Sequence, residues 1–116
     1  MSAERRPGRP YVLLVDDDPE VLAGLKLSLR RLPVSVLTAG SAAEAIGHLE
    51  RLPVWMVISD ERMPEMAGSE LLTLVRRRWP EVTRVILSGQ ASMESVISAI
   101  NEARIFRCLL YTSRCV

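Results

Sequence analysis

Four aspartates and a serine stand where short apolar runs break off. Tyr11 to Val15 ends in Asp16-Asp17-Asp18-Pro19, Val54 to Ser59 ends in Asp60-Glu61-Arg62-Met63-Pro64, and Arg84 to Leu87 ends in Ser88-Gly89. Runs rich in β-branched and aromatic residues suit strands covered on both faces. In an open parallel sheet the ligand crevice lies outside the carboxyl ends of the strands. Asp16, Asp17 and Asp60 are thereby brought toward one crevice, with Ser88 at its rim. At ~4 Å and an effective dielectric of ~20, each pair of carboxylates repels by roughly 4 kcal/mol. A raised pKa or a divalent cation must offset that. A small oxygen-only site that keeps several waters suits Mg²⁺, which takes one or two carboxylates plus phosphate oxygens. With its neighbours neutralised, one carboxylate can act as a nucleophile toward phosphorus. A lone strand-end Asp is more often a turn former or helix cap, and Asp18 reads as only that.

The elements that must position these groups alternate strand and helix. After the Tyr11–Val15 strand, Asp18 is placed as N-cap with Pro19 at the first helical position and Glu20 in the first turn. Val21, Leu22, Leu25, Leu29 and Leu32 recur at helical spacing, and Pro33 is expected to end that helix. Val34 to Thr38 alternates like a short strand near a sheet edge. Ser41 and Glu44 match a capping box ahead of Ala42, Ala45, Ile46 and Leu49. A third helix from about Ala67 carries Leu71, Leu72 and Val75 inward and Arg76, Arg77 and Arg78 at its end, where cations complement the helix dipole. Arg84 to Leu87 reads as a fourth strand, Met93, Val96, Ile97 and Ile100 as a fourth helix, and Ile105-Phe106 as the start of a fifth strand. Repeated β-α units argue for an α/β fold with a parallel sheet and helices on both faces.

The 116 residues allow one domain and one core. With 48% apolar and 25% charged residues and a net charge of +1, the composition gives no electrostatic argument for nucleic acid or membrane. No apolar run approaches the ~20 residues that span a bilayer. Two cysteines, Cys108 and Cys115, make no disulfide framework. A cytoplasmic protein is expected.

Val15-Asp16-Asp17, Asp60 with Met63-Pro64 and Gly68, and Leu87-Ser88-Gly89 together resemble the response-regulator receiver domains of two-component signalling. The likeness runs from Tyr11 to about Arg107. It implies a flavodoxin-like, doubly wound parallel sheet of five strands in the order 2-1-3-4-5. Asp60 is then the phosphoacceptor, fed by a sensor histidine kinase or a phosphotransfer protein. Asp17 and Asp60 bind Mg²⁺ with the backbone carbonyl of Arg62, and Asp16 acts mostly through metal-bound water. Ser88 is the hydroxyl that contacts the phosphoryl group and moves on activation. Arg62 and Gln90 fall where such domains tune the lifetime of the phosphoaspartate. The resemblance implies a switch that acts on a partner or on an effector domain absent from this chain, and not a metabolic enzyme. The stretches Ser59 to Pro64 and Ala99 to Arg107 are similar to receivers often fused to cyclic-dinucleotide phosphodiesterase domains.

The departures gather at the C-terminus. Receivers carry an aromatic residue on strand five and, three residues later, Lys followed by Pro, whereas Cys108, Tyr111 and Thr112 hold those positions here. Lys26, on the first helix, is the only lysine. The last helix is expected to be missing, which leaves the first helix alone on its face and an apolar patch uncovered. All these losses begin at one residue. The codons TGT CTC TTA TAC ACA TCT translate to Cys-Leu-Leu-Tyr-Thr-Ser, the run Cys108 to Ser113, and match a transposon end widely used in sequencing libraries. The expected organisation is a flexible tail over 1–10, a receiver domain over 11–107 and an aberrant tail over 108–116 that is a sequencing artefact.

Two rivals stay open on the residues. Asp16-x-Asp18 resembles the nucleophile and acid of haloacid-dehalogenase-type phosphatases, although a later Lys and a further acidic motif are lacking. A pseudo-receiver, which docks without being phosphorylated, is favoured by the absent family lysine. His48 has no second His or Cys nearby and reads as a solvated helix residue, and Trp55 and Trp79 read as packing.

Overall fold

The computed structural model describes residues 9–87 and 96–102. Its regular elements follow the expected alternation: β1 (Tyr11–Val15), α1 (Pro19–Leu29), β2 (Ser35–Ala39), α2 (Ala42–Arg51), β3 (Val54–Asp60), α3 (Gly68–Arg78) and β4 (Thr83–Leu87). Residues 96–102 are helical. All strands run parallel in the order β2-β1-β3-β4, the expected order as far as the described strands reach. The fifth strand, the final helix, Met93 and the tail expected over 108–116 fall outside the described residues.

The sheet is covered on both sides because its central strands are apolar at every position. All five residues of β1 are buried, as are the first six of β3. Tyr11, Leu13, Val15 and Val57 pack on one face with Ala45, Leu49, Leu71 and Val75 from α2 and α3. Val12, Leu14, Met56 and Ile58 pack on the other with Leu22 and Leu29 of α1 and with Val96 and Ile100. A fully buried Leu or Val contributes roughly 1.5–3 kcal/mol relative to exposure. β2, at the sheet edge, keeps the inward half of an alternation, with Ser35, Leu37 and Ala39 buried.

The face shared with α1 departs from expectation. Val12, Leu14, Met56 and Ile58 are at most 2% exposed, and Val96 and Ile100 from the helical stretch at 96–102 are buried in the same cluster as Leu22 and Leu29 of α1. Apolar exposure is found instead on β4, where Ile86 is 40% exposed, and on the outer side of α1.

Helix α1 is shorter than its apolar stripe. It ends at Leu29, where Arg30 N–H turns back to Leu27 O and Leu32 N–H to Leu29 O. These tight turns satisfy the last carbonyls before Pro33, so Leu32 lies beyond the helix. Val21 is 41% exposed. It stands about 100° around the axis from Leu22, off the stripe that Leu22, Leu25 and Leu29 centre. His48 is half-buried with Nε2 3.1 Å from Thr38 O, so it ties α2 to β2 and is not simply solvated. The caps are as expected at Asp18, whose carboxylate accepts from Glu20 N–H, and at Ser41, whose hydroxyl accepts from Glu44 N–H. Glu44 itself reaches Gly40 N–H, one residue earlier than a strict capping box. At the far end of α3, Arg78 pairs with Glu50 at 2.9 Å and lies 4.4 Å from the centre of the Trp79 ring. Both partners of that ion pair are about half exposed, so it adds little. No described helix is long and apolar enough to cross a membrane.

One glycine sets how closely α3 approaches the sheet. A Cβ on Gly68 would run into the backbone oxygen of Asp60 and come within 2.8 Å of Ile86 Cδ1 and 2.9 Å of Ser59 Oγ. Backbone cannot yield as a side-chain tip can, so Gly68→Ala should cost about 2–3 kcal/mol, in the range of overpacked cores. Urea unfolding should show this as a lower midpoint at unchanged slope, and an unchanged midpoint would mean that α3 shifts freely.

Candidate metal and phosphoryl site

β1 and β3 are neighbours, and Val15 pairs with Ser59. The next residue on each strand line is an aspartate, so the register itself sets Asp16 beside Asp60. Asp17 follows on the outgoing turn. Carboxylate oxygens of Asp16, Asp17 and Asp60 all lie within 4.8 Å of one another. Asp60 is the last residue of β3, half-buried after six buried positions, while Asp17 is exposed. Arg62 is exposed in the loop that follows. Ser88 and Gln90 lie outside the described residues, though β4 delivers Leu87 opposite Asp60.

Burial raises the pKa of Asp16, and repulsion from Asp60, Asp17 and Asp18 adds to the rise, against a hydrogen bond from Asp18 N–H to Asp16 Oδ1 at 2.9 Å that lowers it. Asp18 points its own carboxylate at Glu20 N–H and is a cap. The donor set is all oxygen and convergent, which fits a hard divalent cation that keeps some water.

The loop after Asp60 is held by a residue that sequence reasoning passed over. Glu61 N–H donates to Leu87 O at 3.1 Å, and Gly68 N–H donates to Glu61 O at 3.0 Å. The Glu61 carboxylate accepts from Ser69 N–H at 2.8 Å on one oxygen and from Ser69 Oγ–H at 3.1 Å on the other. Beside it, Ala67 N–H donates to Glu70 Oε1 at 3.1 Å. Nothing in the spacing of Glu61 and Ser69 signals the contact, since the loop must first fold back.

A family model for the response regulator receiver domain matches residues 12–110. The chain belongs to that family. It is similar to the hydrogenase transcriptional regulatory protein HoxA of Cupriavidus necator, 41% identical over 99 residues that cover 85% of this chain and 20% of HoxA. It is also similar to the transcriptional regulatory protein GlrR of Escherichia coli, 39% identical over 92 residues covering 79% of this chain and 21% of GlrR. The chain therefore spans about a fifth of the length of these curated relatives. Among solved structures, the signal receiver domain of an HD domain-containing protein from Pseudomonas fluorescens superposes with a TM-score of 0.68 at 35% identity, covering 82% of this chain and 76% of that one. Receiver domains are signalling modules that generally bind Mg²⁺ through acidic residues, and this receiver carries such a cluster. Family membership favours the receiver reading over the phosphatase one.

The raised pKa of Asp16 has a definite sign. The folded side chain holds its proton more tightly than the unfolded one, so its contribution favours folding at acid pH and is lost as pH rises through the carboxylate range. Asp16→Asn keeps the acceptor for Asp18 N–H and removes the charge. Without divalent cations it should stabilise the receiver at neutral pH by on the order of 1 kcal/mol, limited by solvent screening. The gain should disappear below the aspartate range. Thermal melts in chelator at acid and neutral pH check this, and a loss of stability at neutral pH would contradict it.

Proposed function

We propose that this receiver takes a phosphoryl group onto Asp60 from a histidine kinase or phosphotransfer protein and so switches an output module. The observation that carries the reading is the convergence of Asp16, Asp17 and Asp60 within 4.8 Å at the carboxyl edge of β1 and β3. An Asp60 carboxylate oxygen attacks phosphorus in line, forming an O–P bond as the P–N bond to the donor histidine breaks and the imidazole regains a proton. Asp17, Asp60 and the carbonyl of Arg62 would hold Mg²⁺, with Asp16 acting through water. The ion supplies charge neutralisation around the transferring group. Ser88 would donate to the phosphoryl oxygens, and the Arg62 and Gln90 side chains would govern water access to it. The activity is self-phosphorylation and self-dephosphorylation, in the cytoplasm, with no direct role for nucleic acid or membrane. The curated relatives are transcriptional regulators and one solved neighbour belongs to an HD domain-containing protein, so an effector of either kind suits the output.

We further propose that the receiver occupies 11–107, after a flexible tail over 1–10, and that Cys108 to Val116 is not natural sequence. The opposite strand of TGT CTC TTA TAC ACA TCT begins AGA TGT GTA, which encodes Arg-Cys-Val. Arg114-Cys115-Val116 follow Ser113 in the chain. An inverted repeat of one DNA element therefore accounts for every residue from Cys108 on. The family match runs on to residue 110, over Leu109 and Leu110, which are apolar enough to pass for strand. On this reading the absent lysine at position 111 does not argue for a pseudo-receiver. Resequencing the source locus should give different codons after Arg107, and genomic DNA encoding the tail in place would overturn the assignment.

Incubation with acetyl phosphate and Mg²⁺ should add one phosphoryl mass to the intact protein, in an acid-stable and base-labile form. Asp60→Asn should abolish the adduct. A gain retained by Asp60→Asn, or none in the unmodified chain, would overturn the phosphoacceptor reading.

A further inference from the structure

The loop from Glu61 to Ala67 has no regular structure, and Arg62, Pro64 and Glu65 are exposed within it. Such a segment can present the Arg62 carbonyl at a fixed place only if something else holds it. Glu61 is engaged at every polar group it has. Its N–H is tied to the end of β4, its carbonyl to Gly68, and its two carboxylate oxygens to the N–H and hydroxyl of Ser69. It is the residue between Asp60 and Arg62, so its torsions set the direction of both neighbours. A carboxylate on the first turn of α3 is also favoured by the helix dipole.

We infer that Glu61 is a positioning residue for the metal half of the site, clasping Ser69 so that the Asp60 carboxylate and the Arg62 carbonyl keep a common geometry. The inference rests on the phosphoacceptor reading above. The clasp acts through shape. Glutamine can reproduce it, with Oε1 accepting from Ser69 N–H and Nε2 donating to Ser69 Oγ, although it carries no charge. Alanine removes both contacts, and Ser69→Ala removes the hydroxyl alone.

Mg²⁺ titration of the full chain, followed through the backbone amide shifts of residues 60–62, separates the cases. Loss of both hydrogen bonds should make Glu61→Ala weaken Mg²⁺ affinity by about tenfold, and loss of one should make Ser69→Ala weaken it by about threefold. Glu61→Gln should stay within about twofold of the unmodified chain. The double variant Glu61→Ala/Ser69→Ala should be no weaker than Glu61→Ala, because one contact cannot be lost twice. If Glu61→Ala does not fold, Ser69→Ala and Glu61→Gln still decide the matter. Equal affinity in Ser69→Ala and the unmodified chain overturns the inference. So does a Glu61→Gln variant as weak as an open loop, since charge and not the clasp would then be acting. Absence of any Mg²⁺ response and any phosphoryl adduct in the unmodified chain fails the phosphoacceptor reading itself, whereas normal binding in every variant fails only the role of Glu61.

Discussion

Holding three carboxylates within 4.8 Å of one another is the constraint on which the rest of this receiver depends. No water-exposed loop would keep them there, because their repulsion would spread it. Two adjacent, fully buried strands do, since β1 and β3 are locked in register by their ladder and by apolar cover on both faces. The apolar core is in this sense the mechanical counterweight to the charge cluster. Burial first and then repulsion from its neighbours hold the proton of Asp16 more tightly than usual. An arrangement of this kind suits a divalent cation, whose charge offsets that of the carboxylates.

A second constraint is close approach behind the site. Gly68 lets the first turn of α3 sit against the backbone of Asp60, where any side chain would collide. That proximity is what brings Ser69 within reach of Glu61. The same few residues thus join Asp60, the loop after it, the start of α3 and the end of β4 at Leu87. The hydrogen bond from Glu61 N–H to Leu87 O links the loop after β3 to the end of β4.

The far face of the sheet shows how burial, not chain order, assigns cover. The stretch at 96–102 lies with α1 because Val96 and Ile100 find apolar strand residues there. A sequence pattern shows that Val96 and Ile100 want burial, and it does not show against which side.

Much of the fold was written in local signals. The apolar runs before Asp16, Asp60 and Leu87 located strands, Asp18-Pro19 and Ser41-Glu44 located helix starts, and the β-α alternation implied a parallel sheet. The aspartates were legible for the same reason, since strand ends of a parallel sheet share one edge. Periodicity misjudged Val21 and Leu32, because a helix buries a stripe narrower than its apolar residues suggest and stops where tight turns satisfy its carbonyls. His48 and Glu61 were invisible, since each meets a partner, Thr38 O or Ser69, that is brought close only by chain reversal. Composition and spacing determined which groups would meet at the sheet edge, and only the tertiary structure decided what holds them there, because hydrogen bonds across a folded loop depend on geometry that no local pattern encodes.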